Sequence, residues 1–339
     1  MRAIQYTKTG DPDVLTLVDK PLTEPGPGQV RLRIHRSGVN PTDWKSRLGG
    51  GPAAVDPAQV PGQDGAGVVD AVGPGVEAAL LGLRVWVWEA AYHRPEGTAQ
   101  EYALVPARQL GTLPDQASFD LGASLGIPFM TAHRCLTVAE DGPQRLGPGA
   151  LAGRVVLVAG GAGAVGNAAI QLARWSDATV ITTVSNTRKA NLAAAAGADH
   201  VLDYREQDVV AEVRRIAPTG VHSIVEVAPA ANAGIDTAVV GLNGSVAVYA
   251  NDGGSEFTIP VRAQMVGNVR WQFVLVYTAP HGAKARAVED VEAAVLDGAI
   301  GIGPERGIPL HHFPLAEAAG AHAAVQESVV GKVLLDVTD

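Results

Sequence analysis

Val30, Leu32 and Ile34 alternate with Arg31, Arg33 and His35. This period of two predicts a strand with one buried face. Short runs of similar character recur at Gly67–Val72, Arg84–Trp88 and Tyr102–Val105, separated by turn formers such as Glu24-Pro25-Gly26-Pro27-Gly28 and Gly73-Pro74-Gly75. The first third therefore reads as an antiparallel, barrel-like domain. From Val155 onward the pattern changes. Apolar runs at Val155–Val158, Thr179–Val184, His200–Leu202, Ser223–Val227, Ser245–Tyr249 and Trp271–Val276 predict strands. Helical periodicity lies between them at Val165–Arg174, Arg188–Ala196 and Asp208–Ile216, the second helix ending at Gly197. Continuously apolar strands are buried on both faces, as in a parallel sheet, and their alternation with helices predicts a doubly wound α/β domain. Arg145–Gly153 reads as the loop into the first parallel strand. A further helix near Ala283–Asp297 precedes a last strand in Gly331–Val337, which is free to return to the first domain.

Composition narrows the class. A chain of 339 residues suggests about two domains. Apolar residues make up 47% but aromatics only 5%, so alanine, valine and leucine must build the core. A charged fraction of 18% argues against disorder. The formal net charge of -9 makes nucleic acid a poor partner. The single cysteine, Cys135, excludes a disulfide framework and any multi-cysteine zinc site. Met1–Val14 lacks an apolar signal core, and no run reaches the roughly 18 apolar residues of a membrane helix. The expectation is a cytoplasmic protein with no membrane or nucleic-acid partner.

Gly161-Ala162-Gly163-Ala164-Val165-Gly166 has the spacing G-x-G-x-x-G. Alone this is weak among 40 glycines. Here it follows an apolar strand and opens a helix whose Val165, Ala169, Leu172 and Ala173 share one face, the context of a dinucleotide-binding turn. Gly161 would permit the tight turn, Gly163 the approach of a pyrophosphate, and Gly166 close packing of helix on strand. The helix N-terminus would supply unpaired N–H groups and partial positive charge.

The end of the second parallel strand discriminates between dinucleotides. NAD enzymes usually place Asp or Glu there for the ribose 2′-hydroxyl. This chain continues Ser185-Asn186-Thr187-Arg188-Lys189, with two cations and no carboxylate. A 2′-phosphate would find hydroxyl, amide and cationic donors, each charge-assisted bond contributing about 1.5–3 kcal/mol. The alternative is that Arg188 and Lys189 are simply the solvated start of a helix.

Further segments extend the pattern: Gly38-Val39-Asn40-Pro41-Thr42-Asp43, Pro61-Gly62-Gln63-Asp64-Gly65-Ala66-Gly67, Gly97-Thr98-Ala99-Gln100-Glu101-Tyr102, Thr131-Ala132 and Gly331-Lys332-Val333. With the glycine turn they resemble, nearly end to end, the zeta-crystallin-like quinone oxidoreductases, zinc-free members of the medium-chain dehydrogenase/reductases. The resemblance implies a GroES-like β-barrel catalytic domain from residues 1–126 and 280–339, and a Rossmann domain from 127–279. It also implies NADPH between them, and a homodimer or homotetramer. It assigns Lys189 and Tyr204 to the 2′-phosphate, and Asn232 to a contact after the fourth strand. Thr131, Tyr249, Ala250, Asn251, Phe273, Val274 and Leu275 become further cofactor contacts, those from Tyr249 onward on the nicotinamide half. Zinc-dependent relatives carry Cys near position 40 and Gly-His-Glu near 62, where this chain has Asn40 and Gly62-Gln63-Asp64. His311-His312 is a poor chelate, because adjacent residues point differently.

Without a metal, hydride delivery to a quinone or an activated carbon–carbon double bond carries the chemistry. The acceptor oxygen gains negative charge, and donors aimed at it would help. Asn40 is the first candidate donor; a ribose or turn contact is its alternative. Lys45 stands where relatives often have tyrosine, and would either stabilise an enolate or point to solvent. No general acid is evident, since water can protonate a hydroquinone or enolate. The loops Leu48–Gln59 and Glu89–Gly97 are expected to frame the pocket. Glu226 ends the fourth strand as a capping or a site carboxylate. A quinone reductase leads; an enone or 2-alkenal reductase, such as one serving secondary metabolism, shares every motif. An NADPH-binding non-enzymatic protein, RNA-binding or structural, is the reading of another class, with the net charge against RNA.

Overall fold

The alternation at 30–35 is one stretch of a longer strand in the computed structural model, which describes residues 1–338. In chain order the first elements are β1 (Arg2–Lys8), β2 (Thr16–Asp19), β3 (Gln29–Val39), α1 (Pro41–Leu48), β4 (Ala54–Gln59), β5 (Asp64–Val72), β6 (Arg84–Val87), β7 (Tyr102–Pro106), β8 (Leu110–Thr112) and α2 (Phe119–Leu136). Next come β9 (Val155–Ala159), α3 (Ala164–Trp175), β10 (Thr179–Val184), α4 (Thr187–Ala195), β11 (His200–Asp203), α5 (Val209–Ile216), β12 (Val221–Glu226), α6 (Pro229–Val239), β13 (Val240–Val248), α7 (Val261–Gly267), β14 (Arg270–Phe273) and α8 (His281–Leu296). The tail forms β15 (Leu310–Pro314), α9 (Ala318–Gln326) and β16 (Lys332–Asp336).

Two compact units result, Met1–Ile127 joined by the chain from Pro309 onward, and Pro128–Ile308. In the first unit β2-β1-β4 form one sheet. β15-β16-β3-β5-β6-β8 form a second, with β7 also on β3. The tail does return: β16 runs antiparallel to β3, Val333 opposite Val39. Val30, Leu32, Ile34, Val69, Val85, Val333 and Leu335 share one buried cluster, so the period-two face is the core face. Segment 48–59, expected as a loop, contains β4, which pairs with β1 through Tyr6–Gln59.

The second unit holds a six-stranded parallel sheet in the order β11-β10-β9-β12-β13-β14. Counted from β9 this is the 3-2-1-4-5-6 order of doubly wound dinucleotide folds, whose ligand crevice lies beyond the carboxyl ends at the β9/β12 switch point. Local signals set the helices. The Asn186 side chain accepts the Lys189 N–H at the start of α4, and Asp208 does the same for Ala211 before α5. Two boundaries differ from expectation. β14 stops at Phe273 and a short 3-10 turn covers Val276–Thr278. Segment 280–308 groups with the parallel-sheet unit rather than with the barrel. Its polar ties explain this: Asp290 accepts from Arg145 and from the Leu146 N–H, Asp297 from the Trp175 indole, and the Gly301 carbonyl from Gln171. Helical periodicity at 283–297 carries no information about which unit those ties reach.

Candidate functional site

The turn after β9 is shaped by three glycines, one of which the G-x-G-x-x-G spacing does not include. Gly160 takes φ +69°, the left-handed region that favours glycine. Gly161 does not; it is required because a Cβ there would lie 2.2 Å from the Thr182 hydroxyl. A Cβ on Gly166 would lie 2.4 Å from the Gly160 carbonyl oxygen, so the helix can sit against the turn only without a side chain. Gly163 is the N-cap of α3 and no side chain caps it. The Gly163 N–H bonds the Gly160 carbonyl and the Asn167 N–H bonds Gly163, leaving the first amides, at Ala164, Val165 and Gly166, without intrahelical partners. A 12-residue helix thus points its uncapped positive end out of the carboxyl edge of β9. Ala162, inside the turn, is buried.

β10 and β11 are parallel neighbours with Val184 opposite Asp203, and the Tyr204 N–H donates to the Val184 carbonyl at 3.0 Å. This register sets Tyr204, 51% exposed, beside the segment after β10. Ser185 is buried, Asn186 and Arg188 are exposed, and Lys189 is half-buried. Asp203 is the nearest carboxylate in sequence to Tyr204, and its Oδ1 accepts the Arg205 N–H at 3.0 Å. Among the described residues neither Arg188 nor Lys189 forms an ion pair.

Asn232, expected to touch a cofactor, is otherwise engaged. Its side-chain NH₂ donates to Glu226 Oε1 at 3.0 Å, and the Ala228 N–H donates to the same oxygen. Glu226 thus anchors the entry to α6, which answers the question its sequence position posed. Beside it lies Asp236; both are at most 1% exposed. Burial raises the Glu226 carboxyl, and burial followed by the Glu226 charge lifts Asp236 to about 9. Around neutral pH, Asp236 therefore keeps its proton and donates it to Glu226. Unfolded, Asp236 ionises near 4, so from there to about pH 9 the folded state binds the extra proton and stability falls as pH rises. Asp236→Asn keeps a donor and removes the proton. Its stability relative to the parent should climb by up to about 1.4 kcal/mol per pH unit between pH 5 and 8, read by urea titration. A pH-independent difference would show that the pair does not share a proton.

Of the remaining positions, Tyr249 donates its N–H to the Glu226 carbonyl at 3.0 Å and Val274 donates to the Val248 carbonyl at 2.7 Å. Both therefore sit at the carboxyl edge of the sheet, as do Ala250, half-buried, and Asn251, exposed. Phe273 and Leu275 are exposed by 64% and 57%. Thr131 is buried on α2.

In the first unit Asn40 does not have a free amide. It caps α1 and is 3% exposed. Its Nδ2 donates to Asp64 Oδ2 at 2.7 Å, and its Oδ1 accepts from Lys332 Nζ at 2.7 Å. Asp64 Oδ1 accepts the Ile127 N–H at 2.9 Å, and the Asn40 N–H donates to Asp43 Oδ2 at 2.7 Å. Lys332 Nζ lies 3.8 Å from Asp64. Burial raises Asp64 and lowers Lys332, each opposed by the other's charge. Burial, with the Asp64 charge adding to it, lifts Asp43 to about 7. The expected oxyanion donor is instead the centre of a closed polar knot. Lys45 is exposed, its Nζ 5.7 Å from the Trp44 ring centroid. The sequence reading missed Gly160, the Glu226–Asp236 pair and the Asp64–Lys332 link. A signal existed for the last: an acid inside the small and apolar run Gly62–Val69 must find a counter-charge.

A zinc-binding dehydrogenase family model matches residues 164–293, and an alcohol dehydrogenase GroES-like domain model matches 26–115. Pig (Sus scrofa) quinone oxidoreductase is 30% identical over 341 residues, spanning 99% of this chain and 97% of the relative. A mycobacterial protein of that group, solved in complex with NADPH, superimposes with a TM-score of 0.81 at 30% identity, covering 99% of each chain. A 2-haloacrylate reductase structure gives a TM-score of 0.81 at 27% identity over 100% of each chain. A GroES-like domain and a doubly wound nucleotide domain on one chain define the alcohol-dehydrogenase type of oxidoreductase. The chain belongs to the medium-chain dehydrogenase/reductase family, in its quinone oxidoreductase branch. Among the described residues no helix is long and apolar enough to cross a membrane.

Proposed function

We propose that the protein is a zinc-independent reductase that uses NADPH to reduce a quinone. The observation that carries the cofactor choice is the pair of unpaired cations, Arg188 and Lys189, after β10, with Tyr204 alongside and no carboxylate in their segment. The uncapped amides of Ala164, Val165 and Gly166 suit a pyrophosphate, and the side-chain-free faces of Gly161 and Gly166 keep the turn compact beneath it. Ser185, Asn186, Arg188, Lys189 and Tyr204 would hold the 2′-phosphate. When bound, the reduced dinucleotide supplies a hydride to the acceptor. The residues at the carboxyl edge of β13 and β14, from Tyr249 to Asn251 and at Val274, would bound its nicotinamide half.

The donor set does not fit zinc. Asn40 and Gln63 stand at the positions of interest as amides, and both are occupied: Asn40 between Asp64 and Lys332, Gln63 accepting the Ala91 N–H at 3.2 Å. The one thiol, Cys135, is buried on α2 with its pKa pushed up by burial, so it stays protonated and is a poor ligand. Segment 164–293, matched to the zinc-binding dehydrogenase model, contains no cysteine. Exposed Val261, Met265, Val266 and Phe273 around the open edge at β14 support a homo-oligomer.

Reduction of an activated carbon–carbon double bond is the second reading, favoured by the full-length likeness to a 2-haloacrylate reductase. NADPH oxidation followed with ortho-quinones, para-quinones, 2-alkenals, 2-haloacrylate and cyclic enones separates the two. Turnover with quinones is expected. Turnover with the alkenes alone replaces the first reading by the second, and tight NADPH binding without turnover on any acceptor removes both.

A further inference from the structure

A second concavity lies within the parallel-sheet unit, away from the glycine turn. It has a volume of about 240 Å³, and its wall includes His133, Arg134, Arg270 and Arg286, with Ala283 and Glu140. Arg270 opens β14 at the amino end of the strand, whereas the glycine turn follows the carboxyl end of β9 in the same parallel sheet. The two features are therefore on opposite edges.

Three guanidiniums share one small wall, Arg134 and Arg286 half-buried and Arg270 exposed, and of the carboxylates nearby Asp290 and Glu289 are already used. Asp290 is 2% exposed and accepts from His133 at 2.7 Å, Arg145 at 2.6 Å and the Leu146 N–H at 2.7 Å. Glu289 pairs with Arg145 at 2.8 Å. Glu140, the one carboxylate on the wall, makes no ion pair with the arginines among the described residues. Arg134 has no side-chain hydrogen bond among them, and the buried Nε of Arg286 has no partner. Among the described residues Arg270 donates only to Gln272, at 3.4 Å. Burial and then the Arg270 charge lower the Arg134 pKa, Cys135 opposes them, and Arg286 adds a smaller lowering.

The placement of Arg286 is the telling feature. It lies one turn into α8 and its side chain folds back toward the helix start, so that a Cβ on Gly282 would be 3.5 Å from its Nη1. A cation is thus held at the positive end of a 16-residue helix whose first turn has no acidic residue. Arg134 is ordinary by comparison, lying in the last turn of α2 where a cation complements the dipole. Both the helix end and the arginines present positive potential to the same small volume.

We propose that this cavity is a binding site for a small phosphate-type polyanion, such as inorganic phosphate, pyrophosphate or a phosphomonoester, held by Arg134, Arg270 and Arg286 and by the start of α8. Planar guanidiniums match the paired oxygens of phosphate, and the volume suits one such group with a short substituent. The site is separate from the dinucleotide turn and does not rest on the reading of that turn.

The test uses the full-length protein saturated with NADP⁺, titrated calorimetrically with inorganic pyrophosphate and then phosphate, ionic strength being held constant with chloride. Saturable binding is expected, weakened about tenfold or more in Arg286→Gln and in Arg134→Gln, with NADP⁺ affinity unchanged in both. In anion-free buffer both variants should melt no lower than the parent, since each loses a repelled charge. Absence of saturable binding overturns the proposal. So does a signal that NADP⁺ abolishes, which would place the anion in the dinucleotide turn, and so does retention of binding in both variants. A lowered melting temperature for Arg286→Gln in anion-free buffer would give that residue a structural role and equally overturn it.

Discussion

Lys332→Met should lower the unfolding free energy by about 3–5 kcal/mol, the range found when one member of a buried ion pair is removed. The side chain is 2% exposed, and its ammonium bonds Asn40 Oδ1 at 2.7 Å and lies 3.8 Å from Asp64, itself fully buried. Methionine fills much of the same volume, so packing loss is a small part of the effect. What remains is an uncompensated Asp64 carboxylate with Asp43 one hydrogen-bonded residue away. Both carboxyls are already raised by burial, and loss of the lysine raises them further. A carboxyl raised in the folded state loses stability as pH rises, so the deficit should be larger at pH 8 than at pH 5. Adding Asp64→Asn to Lys332→Met should recover a large part of it, since the stranded charge is gone; denaturant titration of the four proteins of this cycle reads the coupling. A loss under about 1 kcal/mol, or no recovery in the double variant, would mean that the knot is not ionic.

The knot also shows where the sequence was legible and where it stopped being so. The alternation at 30–35, the apolar strands from 155 and the glycine turn are local signals, and each led to the element that stands there. The caps of α4 and α5, Asn186 and Asp208, are equally local, each accepting an N–H three residues on, although periodicity alone had placed those helices. Asn40 failed that logic. As a side chain alone it offers a donor for a developing oxyanion, but its two partners come from residues 64 and 332, and only the fold brings them in. Asn232 repeats the lesson at shorter range, its amide consumed by Glu226. Glycine roles divided in the same way: the need for glycine at 161 comes from Thr182 on the neighbouring strand, while the left-handed residue is Gly160, just outside the recognised spacing. Fold class was readable because it follows from periodicity. The state of a polar side chain was not, because it follows from contacts between distant segments.

Lys189→Glu should weaken NADPH binding by about 10- to 150-fold while leaving NADH within a few-fold, the loss of one charge-assisted hydrogen bond of about 1.5–3 kcal/mol. Repulsion between the new carboxylate and the 2′-phosphate pushes the effect toward the upper end. The structure adds a second expectation of opposite sign. Lys189 is the third residue of α4, where Asn186 is the N-cap and accepts the Lys189 N–H at 2.9 Å, and the first turn has no acidic residue. A lysine there opposes the helix dipole, whereas glutamate at that position would complement it and complete a capping box with Asn186. Lys189→Glu should therefore raise the stability of the unliganded protein by about 0.3–1 kcal/mol. A residue that costs the fold something and whose replacement damages only the 2′-phosphorylated ligand is held there for that ligand. Fluorescence titration with both dinucleotides and melting of the apoprotein read the two signs. Equal loss of NADPH and NADH affinity would indicate damage to the glycine turn. Unchanged preference would return Arg188 and Lys189 to the solvated start of a helix, and with them the argument for NADPH would fall.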